Sequence, residues 1–445
     1  MSTVSYSIVL TGLAGLLHTA VVSQTPLTPQ PLSIDSAIHL ALTHNRQAVI
    51  TRLEEQAADA RYRQTDAVYL PQVTVNYTAY TTNDPLAAFG FKLEQRNITA
   101  NDFNPALLNH PGATGNYNAG ISVKQPLVNP DLWLARQGAR LQVAAYAATS
   151  QRTRQYLVYT VQQACVQLQL AYEVTTVLEQ ACRSAQEAYR FTNNRYQQGL
   201  LQQSDVLNTQ VQVANMEGDL AKAKSGIANA SDNISLLTGQ PPGTNYRITD
   251  SLSLAAPLAA SSQVPAQRAD FTAMQKNIDA SAIMIRSGKM SYWPRLNAFG
   301  NYQYNDSHLA GFNAGSYMAG IQLSWDVFDG NRARRQVATQ TIEKNKMEQQ
   351  FAQQKSQAQV ELNKALRDLS DAGTGIGQQT LAVAQSAEAL RIIQNRYAQG
   401  LVSTTDLLAA QTQLAQRQLA LAQARYNEQM AKAWIQLLTT TSNPQ

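Results

Sequence analysis

The sequence predicts a membrane-associated α+β chain built as two tandem repeats, each with two short strands and one very long helical hairpin. Three observations carry that prediction. Residues 188–210 (AYRFTNNRYQQGLLQQSDVLNTQ) align without a gap on residues 389–411 (ALRIIQNRYAQGLVSTTDLLAAQ) at an offset of 201, with 11 of 23 positions identical. A self-match over that distance marks a duplicated architecture. From Ala139 to Gln198 the chain runs 60 residues without Gly or Pro, about 90 Å as a single helix. Four separate segments alternate apolar and polar residues with a period of two, the pattern of a strand with two unlike faces.

The first 23 residues hold an apolar core, Ile8 to Leu17, followed by Val21-Val22-Ser23. That pattern predicts a secretory signal peptide cleaved near Ser23. The apolar run is too short to span a bilayer, which takes about 20 residues. Residues 33–68 predict a helix, with Ile34, Ala37, Ile38, Ala41 and Leu42 on one face, started by Ser33 or Asp35 and stopped at Tyr69-Leu70-Pro71. A strand over about 72–80 sets Val73, Val75, Tyr77 and Ala79 against Thr74, Asn76, Thr78 and Tyr80. Residues 81–116, rich in Gly, Pro and Asn, read as loop. A second strand, about 117–127, sets Ala119, Ile121 and Val123 against Gly120, Ser122 and Lys124.

The long helix then ends at Gly199, a lone Gly between two helical runs and so a C-terminal signal. Ser204 and Asp205, like Thr405 and Asp406, offer oxygen acceptors to the first turn of the following helix. That second helix shows apolar residues every seven positions: Val206, Val213, Leu220, Ile227 and Ile234. The spacing predicts a left-handed coiled-coil seam. Gly239 to Gly243 ends the first repeat (24–243), and a Pro/Ser/Ala-rich connector covers 244–265. The second repeat (266–445) replays the order: a helix over 266–291, strands over about 295–305 and 317–328, a long helix from near Asn331, a tip at Gly400 and a last helix over 402–439. Gly373, Gly375 and Gly377 predict an interruption and a kink in the long helix. Across the strands, Leu296, Ala298, Gly300, Tyr302 and Tyr304 oppose Asn297, Phe299, Asn301, Gln303 and Asn305. In the last strand Ile321, Leu323, Trp325 and Val327 oppose Gln322, Ser324 and Asp326.

Composition narrows the function classes. The chain is only 15% charged, and its net charge of +5 lies in scattered Arg and Lys, without the dense cationic stripe that nucleic-acid binding needs. The two cysteines, Cys165 and Cys182, sit 17 residues apart in one expected helix, too far to bridge. The five histidines have no metal-ligand spacing, so neither metal nor cofactor is expected. Gly373-x-Gly375-x-Gly377 lies between helical runs rather than after a strand, which excludes a dinucleotide fingerprint. Ser231-Asp232-Asn233 has no Lys-Thr-Gly after it. No enzyme activity is expected. Tyr69, Tyr77, Trp293, Tyr302, Trp325 and Phe328 near the strand ends fit interfacial aromatic girdles. Strands in lipid must close into a barrel, and four are too few, so several copies must share one. The alternative is a periplasmic coiled-coil adaptor or structural protein without a pore.

The tandem halves, the paired strands and the motif Arg-Tyr-x-x-Gly-Leu-x-x-x-x-Asp at 195–205 and again at 396–406 resemble the TolC family of outer-membrane efflux proteins over the whole mature chain. The resemblance implies a homotrimer whose 12-stranded outer-membrane barrel continues into a helical periplasmic tunnel. It implies an exit duct of a tripartite efflux or type I secretion system, working with a periplasmic membrane-fusion adaptor and an inner-membrane pump of the resistance-nodulation-division or ABC type. By the same resemblance Gly199, Leu200, Gly400 and Leu401 would contact the adaptor. Asp205 and Asp406 would lie at the periplasmic constriction, with Arg195, Tyr196, Arg396 and Tyr397 as further gate candidates. Crowding of such carboxylates in a ring would raise some of their pKa values. Family members whose gate is tied by salt bridges can carry Arg two residues after the second Gly; here that position is Val402.

Overall fold

The computed structural model describes residues 29–250 and 262–441; the expected signal peptide and part of the connector lie outside them. The chain opens with β1 (Gln30–Leu32), α1 (Ile34–His44) and α2 (Arg46–Gln64), then β2 (Gln72–Thr82). Two short helices follow, α3 (Pro85–Glu94) and α4 (Pro105–Asn109), before β3 (Thr114–Val128), α5 (Pro130–Gln197), α6 (Gln203–Thr238) and β4 (Tyr246–Ile248). The second half contains α7 (Ala269–Met290), β5 (Arg295–Asp306), β6 (Ala314–Ser324), α8 (Arg332–Ala398) and α9 (Thr404–Thr439).

Strands β2, β3, β5 and β6 form one antiparallel sheet in that order. Its register aligns the alternation of all four segments. Val75 faces Ile121, Ile121 faces Tyr302 and Tyr302 faces Tyr317, so one apolar row crosses the sheet. These four side chains are 73%, 47%, 44% and 82% exposed: in one chain the apolar face has no cover. The adjacent row, Thr74, Ser122, Asn301 and Met318, lies on the opposite face and is polar except at the methionine. Among the described residues neither outer edge, β2 or β6, finds a partner strand. β6 stops at Ser324, short of the expected Phe328, where the Trp325 indole turns back to donate to the Tyr292 carbonyl at 2.9 Å. The expected girdle residues Tyr69, Trp293, Trp325 and Phe328 are all exposed around this end of the sheet.

Below the sheet, α5 is one uninterrupted helix of 68 residues, about 102 Å long. It packs against α2, α7, α6 and α9, largely through alanine: Ala145, Ala148, Ala164, Ala185 and Ala188 are buried along it. Small side chains let helix axes approach closely, which is what the Ala-rich, aromatic-poor composition had to provide. All five members of the seven-residue series in α6 are buried or half-buried. No helix of the described residues is long and apolar enough to cross a membrane.

Four further expectations need correction. The helix expected over 33–68 is two helices, broken at Asn45. The Asn45 side chain accepts from Gln47 and Ala48 N–H groups (2.8 and 3.4 Å) and donates to the Leu237 carbonyl at 2.9 Å. It therefore caps α2 and the end of α6 together, where Gly239, at φ +70°, meets His44. The connector is not bare: β4 pairs in parallel with β1, and Asp250 accepts the Ile34 N–H that opens α1. Around them Ile34, Leu157, Val161, Cys165, Leu168, Ile234 and Tyr246 form a closed apolar cluster. The stretch read as loop, 81–116, contains α3 and α4. Finally, α8 runs unbroken through Gly373, Gly375 and Gly377; each glycine costs about 1 kcal/mol relative to alanine, too little to end a helix packed along α9.

Candidate functional site

The two hairpin tips are built by the same local chemistry. At Gly199 and Gly400 the backbone turns left-handed, φ +74° and +77°, a conformation that glycine adopts without a Cβ penalty. Leu200 N–H returns to the Arg195 carbonyl and Leu401 N–H to the Arg396 carbonyl, both at 2.9 Å, closing each long helix with the double hydrogen bond of a Schellman cap. The chain then leaves with Leu200 and Leu401 projecting into solvent, 65% and 62% exposed.

The aspartates supply acceptors to the first turn from its third position, reaching back to the residue that precedes the helix. The Asp406 carboxylate accepts from Ser403 N–H (3.1 Å) and Ser403 Oγ–H (2.7 Å), while Asp406 N–H donates to Ser403 Oγ at 3.2 Å. Asp205 accepts from Gln202 N–H at 3.2 Å. Each satisfies a backbone donor at a helix N-terminus, where the helix dipole also favours negative charge. The Ser403 hydroxyl, and after it the Ser403 N–H, hold the Asp406 carboxyl below the usual carboxylate range. Within one chain the shift is thus opposite to the one expected from crowding. Because the folded value is depressed, this contact adds stability at pH above the ordinary carboxylate range and loses it as pH falls through the depressed value.

The other candidates fall into a partnered pair, Tyr397 and Arg195, and an unpartnered one. Tyr397 is buried at 4% exposure. Its hydroxyl bonds Thr192 Oγ1 at 2.9 Å and Thr404 Oγ1 at 3.1 Å, and its ring lies 5.4 Å from that of Phe191. Within one chain it is therefore a staple between α5 and the second tip. Arg195 reaches across and donates to the carbonyls of Tyr397, at 3.2 Å, and Ala398, capping the C-terminus of α8 with a guanidinium. Val402, at the position where salt-bridged family members can carry Arg, packs beside Tyr397 with Ala188, Leu390 and Leu407. Their counterparts 201 residues away, Tyr196 and Arg396, have no such partners among the described residues. Tyr196 is 39% exposed, and Arg396 is exposed with no side-chain hydrogen bond or ion pair among the described residues. Sequence reasoning missed Thr192, Thr404 and Phe191, because their roles depend on which hairpin lies beside which.

A family model described as outer membrane efflux protein matches residues 37–240 and 260–441. The cation efflux system protein CusC of Escherichia coli (strain K12) is 22% identical over 404 residues, covering 89% of this chain and 84% of that protein. The probable outer membrane lipoprotein SilC of Salmonella typhimurium is 20% identical over 405 residues, covering 88% and 82%. A solved structure of CusC superposes with a TM-score of 0.79 at 20% identity, covering 92% of both chains. VceC of Vibrio cholerae superposes with a TM-score of 0.75 at 18% identity, covering 92% of this chain and 97% of that one.

Proposed function

The chain belongs to the outer membrane efflux protein family, and from that premise we propose how its parts work. It is an outer-membrane efflux channel, the exit duct through which an efflux system discharges, with a long periplasmic extension. Three copies pool four strands each into a 12-stranded barrel, and the two repeats, 24–243 and 266–445 joined by 244–265, line one continuous tunnel. Transport is passive; the energy comes from an inner-membrane pump of the resistance-nodulation-division or ABC type, joined through a periplasmic membrane-fusion adaptor. The adaptor meets Gly199-Leu200 and Gly400-Leu401.

One observation carries this reading: the four-stranded sheet exposes an unbroken apolar row and, among the described residues, leaves both edges unpaired. Open edges are not tolerated in lipid, and the smallest bacterial barrels have eight strands. Twelve strands from three copies satisfy both conditions. A coiled-coil adaptor without a pore would leave Val75, Tyr302 and Tyr317 in water without purpose. The experiment is native mass measurement in detergent followed by planar-bilayer recording. A trimer with a steady ion conductance is expected; a stable folded monomer would overturn the architecture.

At the tunnel mouth, threefold symmetry gathers up to six carboxylates from Asp205 and Asp406, and a ring of negative charge favours cations. Tyr196 and Arg396 flank it. Asp406→Asn is expected to weaken cation selectivity and block by multivalent cations, while the amide oxygen still accepts from Ser403 and preserves the fold. Identical selectivity in the two proteins would leave Asp406 as a capping residue alone.

A further inference from the structure

The middle turns of α5, α8 and α9 border a trough of about 800 Å³ that neither the sheet nor the tips use. α9 lies between α5 and α8 and touches both, so it forms the floor and the other two form the walls. The α5 wall is aromatic. Tyr156 and Tyr159 stand about one turn apart, their ring centres 6.0 Å from each other, and the Tyr159 ring lies 5.1 Å from that of Trp434 on α9. The rings are tilted by 46° and 59° rather than stacked, so together they make a bent wall. The α8 wall is acidic. Asp368 and Asp371 are i, i+3 neighbours and so share one helix face. Both are exposed, and neither makes a hydrogen bond or ion pair through its side chain among the described residues. Beside them stands Gly375, where a Cβ would meet nothing within 4 Å.

Aromatic rings attract cations through their quadrupole, and carboxylates without a partner leave their charge uncompensated. No lysine, arginine or histidine lines the trough. Among the described residues no cation lies over any of its three rings, and no group of three His, Cys, Asp or Glu side chains could hold a metal ion. We propose that the trough binds small organic cations, quaternary or aromatic ammonium compounds, between the tyrosine wall and the two aspartates.

The trough opens away from the covered side of the helix layer. Tyr159 and Gln163 each stand two residues before a member of the apolar cluster around β1 and β4, Val161 and Cys165, which turns them about 200° around α5. The place of the trough in transport rests on the threefold reading above. In that reading the side carrying β1, β4 and α1 is the outer one, because three copies of it would obstruct the tunnel. The trough then faces the passage, and three of them ring it at mid-length. Tyr159 precedes the end of α5 at Gln197 by 38 residues, about 57 Å along the helix, so this ring is separate from Asp205 and Asp406 at the tips. It gives the exit duct a station for positively charged, partly apolar cargo.

Calorimetry of benzyltrimethylammonium with the native protein in detergent tests the site, with benzyl alcohol and benzenesulfonate as uncharged and anionic counterparts. The cation is expected to bind and the other two not. Asp368→Asn with Asp371→Asn is expected to weaken binding by about tenfold, since both nearby negative charges are lost, and Tyr156→Leu to weaken it less. All three side chains are exposed, so the fold survives these changes. Equal affinity in wild type and the double aspartate variant, or equal binding of the three probes, would overturn the proposal. Gly375→Cys, in a chain whose Cys165 and Cys182, both buried, are replaced by alanine, reads whether the trough is open. A methanethiosulfonate bearing trimethylammonium is expected to label it faster than one bearing sulfonate, and benzyltrimethylammonium to slow that labelling. A cysteine that reacts only after denaturation would mean that protein fills the trough, and the site would fall. In planar bilayers the cation is expected to block current, less so in the double aspartate variant; binding without block would overturn the placement on the passage. Binding by a protein that is monomeric in native mass measurement would overturn the threefold reading and leave the site standing.

Discussion

Val75→Arg is expected to abolish accumulation of the protein in the outer membrane, while Thr74→Arg, one residue away, leaves it close to normal. Both side chains sit mid-strand in β2 and both are exposed in one chain. They differ only in the face they occupy. Val75 begins the row through Ile121, Tyr302 and Tyr317, and Thr74 the row through Ser122 and Asn301. An arginine on the lipid face of a barrel costs roughly 2–4 kcal/mol near the bilayer midplane. Three copies in the proposed barrel bring that to about 6–12 kcal/mol, comparable with the whole stability of a typical protein at ~5–15 kcal/mol. An arginine facing the water-filled interior carries no such cost and alters conductance instead. Heat-modifiable mobility on unheated gels, with quantitative membrane fractionation, reads both variants. Equal loss from both would mean that the sheet's two faces see the same surroundings, and the barrel reading would fall.

The sheet was legible in the sequence because its signal is local. Period-two alternation in four segments fixes which residues share a face, and the observed register joins those faces into one row. The tips were legible for the same reason: Gly199 and Gly400 end helices through contacts confined to six residues. Features set by distant parts of the chain were not. Nothing between residues 33 and 68 marks Asn45 as a break, because the break exists to cap α6, whose end is reached some 190 residues later, at Leu237. β1 and β4 have three residues each, too few for any period. Tyr196 and Tyr397 are identical in motif and opposite in burial. The motif records a duplicated hairpin; burial records which neighbour one chain supplies, and a single chain supplies a neighbour to only one of the two faces.

Leu200→Asp combined with Leu401→Asp is expected to reduce export to near background while leaving trimer yield and single-channel conductance unchanged. These leucines project from the hairpin tips, held out by helix ends whose caps use their backbone N–H groups but not their side chains. A large apolar residue kept in water at a rigid tip is explained by a partner that buries it. Complete burial of one leucine contributes about 1.5–3 kcal/mol, so six tips in the proposed trimer would contribute roughly 9–18 kcal/mol to docking. Aspartate removes that contribution and adds the cost of burying a charge without a partner. Substituting the neighbouring glycines would test docking less cleanly. At φ +77° a side chain on Gly400 strains the cap itself, so Gly400→Trp mixes lost docking with lost folding. With the leucines the two effects separate, because neither side chain takes part in the cap. Export measured in cells carrying the matching pump and adaptor, beside conductance of the purified channel, gives the two readings. Export that persists at the normal rate with both leucines replaced would remove the tips from the adaptor contact.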